Sequence, residues 1–150
     1  MPLQILYEDR WLLAINKPTG LVVEANPFEK QSIEAEAQKY VGAQTNKPFI
    51  GIIHRLDRGT SGVLLLAKRK QALKDLNRQF EAKTIQKTYM ALTHSAPAAP
   101  EGELRHWLFK DQEQKRAVLF AQKRPRTTRV HLSYRTMPHE GEHVLLEVQP

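Results

Sequence analysis

Short blocks of apolar residues, separated by turn-forming residues, dominate the pattern along this chain. Ile5-Leu6-Tyr7 and Trp11-Leu12-Leu13-Ala14-Ile15 flank Glu8-Asp9-Arg10, which predicts two strands around a tight turn. Lys17-Pro18-Thr19-Gly20 then closes the second strand with turn chemistry. Further strands are expected over residues 62–67, 87–93, 105–109, 117–120, 128–134 and 144–148. The last two flank a turn around Pro138 to Gly141, which predicts a hairpin.

Helical spacing occurs in two places. Ser32 can cap a helix running to about Val41, with Glu34 and Glu36 where the helix dipole favours anions. Over residues 70–83, Leu73, Leu76 and Phe80 share one face while Lys74, Asp75 and Arg78 fall elsewhere, as in a helix packed against a core. The stretch from Ser95 to Gly102 carries two prolines and a glycine and is expected to be a loop. Strands outnumber helices and most connections are short. The expected class is α+β: a mixed, largely antiparallel β-sheet with a few flanking helices.

Composition narrows the function classes. With 150 residues, 41% hydrophobic, one core of useful size is possible without disulfides. The absence of cysteine excludes thiolate zinc sites and cysteine nucleophiles. The apolar runs are far shorter than the roughly 20 residues of a membrane span, and no secretory signal pattern is visible, so a cytoplasmic protein without membrane contact is expected.

Charge is placed unevenly. Residues 1–49 hold 5 basic and 6 acidic side chains, residues 50–100 hold 9 and 3, and residues 101–150 hold 9 and 7. Between Arg105 and Arg135 the only acids are Asp111 and Glu113. Such a field suits a phosphate backbone, since neutralised phosphates release condensed counterions, and equally a solvated basic surface.

The chemically dense stretch is Gly51-Ile52-Ile53-His54-Arg55-Leu56-Asp57-Arg58-Gly59-Thr60-Ser61-Gly62, expected as a loop feeding a strand. Asp57 fits two readings: a turn acid capping nearby amides, or a reactive carboxylate. Arg55 and Arg58 flank it and are expected to keep it ionised, which suits a nucleophile and equally a plain ion pair. His54 fits a hydrogen-bonded loop histidine as well as a site residue, and its spacing from Asp57 argues no metal.

The segment from His54 to Gly62 resembles the signature loop of the RluA-type pseudouridine synthases. Two more segments are similar to that family in the expected order. They are Glu8 to Gly20, with its Asn16-Lys17-Pro18-Thr19-Gly20 ending, and the strand Gln86-Lys87-Thr88-Tyr89-Met90-Ala91-Leu92. The resemblance implies the family's catalytic fold and isomerisation of uridine to pseudouridine in ribosomal or transfer RNA, with no metal and no cofactor. Asp57 matches the catalytic aspartate. Arg55 matches an arginine that fills the space of the extruded base, and Tyr89 a tyrosine packed against the target uracil.

On the same resemblance, His54, Arg58 and Thr60 join the substrate-binding set. Lys68, Arg69, Lys70, Lys123, Arg124 and Arg126 are expected to hold the RNA backbone. Relatives continue into a Thr-Gly-Arg-x-His-Gln-Ile-Arg segment that the 150 residues do not contain. Residues 1–150 are therefore expected to be a catalytic domain incomplete at its C-terminus, without an N-terminal RNA-binding accessory domain, acting as a monomer. The alternative reading is a non-catalytic RNA-binding module.

Overall fold

A computed structural model describes residues 2–29, 31–138 and 141–150. The elements follow in the order β1 (Ile5–Glu8), β2 (Leu12–Lys17), α1 (Ile33–Gly42), β3 (Gly51–Ile52), β4 (Gly62–Ala67), α2 (Lys70–Glu81), β5 (Tyr89–Thr93), β6 (Glu101–Asp111), β7 (Arg116–Phe120), β8 (Thr128–Thr136) and β9 (Val144–Gln149). The chain divides into two compact units, Met1–Ile85 and Gln86–Pro150. The first carries a four-stranded sheet in the order β1-β2-β4-β3, the second a five-stranded sheet in the order β5-β9-β8-β6-β7. Every strand pairing is antiparallel, which makes the class α+β as expected.

The first unit holds most of the core. Leu13 and Ile15 of β2 and Leu64 and Leu66 of β4 are fully buried, joined by Ile33, Ala37 and Val41 of α1. Those three recur four apart because one face of a helix repeats at that spacing. Ser32 starts α1 as its N-cap, its side chain accepting from the Ala35 amide at 3.2 Å. Asp9 closes the β1–β2 turn by accepting from the amides of Trp11 and Leu12, each at 2.7 Å.

Helix α2 presents its apolar side to the sheet, but no residue in it is fully buried. Leu73 lies against Gly51, where an added Cβ would stand 2.8 Å from Leu73 Cδ2. Gly51 and Ile52, expected as loop, form β3 by pairing with Ala67 and Leu66 of β4.

In the second unit, Val144 is the one buried hydrophobic residue among those described. Strand β6 is longer than its sequence pattern indicated. Glu101 and Gly102, expected as loop, pair with Arg135 and Tyr134 of β8, and the Tyr134 ring lies over the bare Gly102 backbone. The expected hairpin forms, with Thr136 opposite Leu146. Its turn around Pro138 to Gly141 includes residues 139 and 140, which lie outside the described residues.

Candidate active site

The alternation of β2 leads straight into the site. Leu13, Ile15 and Lys17 occupy one phase of the strand, and all three are fully buried. A lysine thus ends an apolar row, and its ammonium needs partners inside the protein. It donates to the carbonyls of Thr60 at 2.8 Å, Pro18 at 2.9 Å and Arg58 at 3.5 Å. Burial pushes the Lys17 pKa below its ordinary value, while the negative charge of Asp57 opposes that shift.

Two of those acceptors follow Asp57 in its own turn and belong to a wider clamp. The Gly20 amide donates to Arg58 O at 2.7 Å, and the Thr19 hydroxyl to Gly59 O at 3.2 Å. The Thr60 amide donates back to Asp57 O at 3.0 Å. All four carbonyls from Asp57 to Thr60 are therefore held, three of them by residues 17–20. Gly20 adopts a φ of 89°, a left-handed backbone that a side chain would strain.

Side chains alternate above this base. Leu56 is buried and anchors the segment, whereas Arg55, Asp57 and Arg58 are exposed. Asp57 lines a cleft of about 640 Å³ with Val22, Val23, Glu24, Arg55 and Arg58. That volume falls within the range of small-molecule pockets.

The two arginines behave differently from the sequence expectation. Arg55 pairs with Glu24 at 3.2 Å and Arg58 with Glu29 at 2.9 Å. Arg58 Nε also donates to Gly20 O at 3.1 Å. Among the described residues neither forms an ion pair with Asp57, because acids from the 24–29 segment come closer. Thr60 contributes its backbone, through Asp57 O and Lys17. His54 is turned inward: its Nε2 accepts from the Leu65 amide at 3.1 Å, and its ring stacks on Phe80 with centroids 5.1 Å apart. This bond links the loop to β4.

The expected phosphate contacts divide. The Lys68 ammonium pairs with Glu8 at 2.5 Å and donates to Asp9 O at 2.9 Å, leaving the side chain 14% exposed. It ties β4 to the β1–β2 turn rather than facing solvent. Arg69 lies 5.6 Å from the Trp11 ring centre and donates to Arg10 O, while Lys70 is exposed at the start of α2. Lys123 sits over Trp107 at 5.6 Å and Arg124 over Phe120 at 4.6 Å; Arg126 is exposed with a φ of 62°. These three and Tyr89 belong to the second unit, where Tyr89 is half-buried opposite Val148.

Lys17, Thr19, Gly20, Glu24 and Glu29 were absent from the candidate residues drawn from sequence. A signal for Lys17 existed, since it falls on the buried phase of β2. The glutamates carried none, because their pairing depends on how the loops fold together.

The fold and cleft define the class: an antiparallel α+β protein that holds Asp57 in an arginine-lined cleft on a braced loop. The RNA pseudouridylate synthase family model matches residues 11–150, and the chain belongs to that family. The chain is 41% identical over 90 residues to "Ribosomal large subunit pseudouridine synthase C" of Buchnera aphidicola, covering 60% of this chain and 28% of that relative. It is 32% identical over 160 residues to an "Uncharacterized RNA pseudouridine synthase" of Synechocystis sp., covering 99% of this chain and 47% of that relative. A solved structure, "Human RNA Pseudouridylate Synthase Domain Containing 4", is similar in fold with a TM-score of 0.81 at 22% identity. That match covers 98% of this chain and 58% of the solved one. The chain thus spans less than two thirds of the length of each of these relatives.

Proposed function

We propose that the protein isomerises uridine to pseudouridine in RNA, with large-subunit ribosomal RNA as substrate and Asp57 as the catalytic carboxylate. The observation that carries this reading is the placement of Asp57: exposed in a cleft while all four carbonyls of its turn are fixed. A reacting group gains most when its support is already ordered before the substrate arrives. The ribosomal substrate follows from the name of the Buchnera relative.

Isomerisation breaks the N1–C1′ bond, joins C1′ to C5, and releases the C5 proton while N1 gains one. The glycosidic bond of a uridine stacked in a helix is out of reach of an active-site carboxylate, so the nucleotide must be flipped out, which costs a few kcal/mol of stacking and pairing. In this reading Arg55 fills the vacated space, its planar guanidinium suiting both stacking and phosphate contact, and Tyr89 packs against the uracil. Residues 1–150 are read as catalytic-domain sequence of a cytoplasmic monomer, and no step is assigned to a metal or cofactor.

Ribosomal RNA carrying 5-tritiated uridine tests the proposal with the full-length protein. Tritium release is expected, and Asp57→Asn is expected to abolish it while RNA affinity persists. Absence of release from ribosomal RNA, with release from transfer RNA, moves the substrate class. Undiminished release by Asp57→Asn removes the role of Asp57.

A further inference from the structure

One face of the five-stranded sheet brings two aromatic rings together. Directly paired residues share a face, so the register sets Trp107 beside Phe120 of β7 and Arg129 of β8. The opposite phase sets Leu108 beside Leu119 and Leu104 beside Leu132, with Leu104 and Leu119 exposed. The Trp107 and Phe120 rings are half-buried, so part of each is open to a ligand.

The loop after β7 adds cations to these rings. Lys123 Nζ lies 5.6 Å from the Trp107 ring centre, and Arg124 Cζ lies 4.6 Å from that of Phe120. This loop is tied down. The Thr127 hydroxyl donates to Arg124 O at 2.6 Å and the Arg124 amide donates to Thr127 Oγ1 at 3.2 Å. Arg126 at its apex holds a left-handed φ of 62°, a strained conformation for a residue with a side chain. Among the described residues, Lys123, Arg124 and Arg129 form no ion pair with a carboxylate. All three are exposed.

Two neighbouring rings and three unpaired cations on an antiparallel sheet match a ligand that has flat π faces joined by negative linkers. We propose that this face of β6, β7 and β8 is a stacking platform for unpaired nucleotides of the RNA. Trp107 and Phe120 take bases, while Lys123, Arg124 and Arg129 take phosphates. This rests on the reading that the protein acts on RNA, and adds which part of the surface grips single-stranded substrate. An exposed cation over a ring is held weakly, so a base displaces it and the cation moves to the phosphate of the same nucleotide. An acidic protein segment would use the cations but leave the rings without a role, so RNA is the better fit.

The test is binding of a labelled oligouridine dodecamer to the full-length protein, followed by fluorescence anisotropy over a series of salt concentrations. Trp107→Leu with Phe120→Leu is expected to weaken binding at least tenfold (order of magnitude, from the loss of two stacked bases) without changing the salt slope. Trp107→Phe is expected to restore most of the lost affinity. Lys123→Gln, Arg124→Gln and Arg129→Gln together are expected to lower the slope of log K against log salt by about 2. If the leucine variant fails to fold by circular dichroism, the charge variant decides, since it alters only exposed side chains. Unchanged affinity and slope overturn the platform, as does competition by polyglutamate equal to that by oligouridine. Asp57→Asn serves as the control. If it loses tritium release but keeps oligouridine binding, the catalytic reading stands independently of this one.

Discussion

The Lys17 ammonium and the Thr60 carbonyl lie 2.8 Å apart across 43 residues of chain. Through this bond and its neighbours, a buried lysine on a central strand holds the turn that presents Asp57. Lys17→Met is expected to leave the carbonyls of Thr60 and Pro18 without their donor, each worth about 1–3 kcal/mol when buried and unsatisfied. The urea midpoint is expected to fall. Tritium release is expected to drop about tenfold or more, mainly in kcat, because the carboxylate is no longer positioned. Retention of both midpoint and rate in this variant contradicts a positioning role.

Acid is expected to loosen the first unit at the β1–β2 turn. Burial raises the Glu8 pKa, but hydrogen bonds from Lys68 and Tyr40 and the Lys68 charge outweigh it, leaving it below the ordinary 4.5. Asp9 lies below 3.8 because the Trp11 and Leu12 amides bond its carboxylate. A depressed carboxylate contributes stability that is complete above its unfolded pKa and is lost as pH falls through the folded value. Melting temperature is therefore expected to decline below about pH 4.5, and Glu8→Gln to flatten part of that decline. An unaltered acid limb in the variant assigns the loss elsewhere.

Gly51→Ala tests the contact between β3 and α2. The new methyl would meet Leu73 Cδ2 at 2.8 Å and Cδ1 at 3.1 Å. Overpacking of this kind costs about 1–3 kcal/mol, and the lower end is expected because Leu73 can rotate away. Leu73→Ala in the same chain is expected to recover part of the loss. A double-mutant cycle in urea reads the coupling, and simple additivity of the two changes refutes the contact.

Glu24 and Glu29 are expected to restrain the arginines they pair with. Exposed ion pairs are worth about 0–1 kcal/mol, so Glu24→Gln and Glu29→Gln together should tighten RNA binding by only a few-fold. The salt slope should steepen as Arg55 and Arg58 become available to phosphate. Filter binding at several salt concentrations checks both quantities. Weaker binding in the double variant means that the glutamates position the arginines instead of competing for them.

Much of this architecture is local enough to read from sequence. Ser32 caps α1 through an amide three residues away, and Asp9 closes its turn through amides two and three residues away. The spacing of Leu73, Leu76 and Phe80 marks the side of α2 that meets the sheet. Such features depend on backbone geometry within one turn or strand, and residue type decides them.

The ends of β6 were not legible. Glu101 and Gly102 follow two prolines, and only pairing with Arg135 and Tyr134, more than thirty residues later, draws them into the sheet. Cross-strand partners can override the weak preference of a glycine for turns. The ion pair of Lys68 was hidden for a related reason. A basic run reads as a phosphate contact, and the partner that Glu8 brings from a distant strand is not visible in it.

Sequence by itself determined the strand and helix periods, the class α+β, the family resemblance, and Asp57 as the residue on which the proposed chemistry rests. Tertiary structure decided which charges face one another. It buried Lys17 beneath Thr60, gave Arg55 to Glu24 and Arg58 to Glu29, and turned His54 inward onto Phe80. The physical reason is range. Periodicity and capping act over a few residues, whereas a buried cation or an ion pair is satisfied by whichever groups the folded chain brings within about 3 Å.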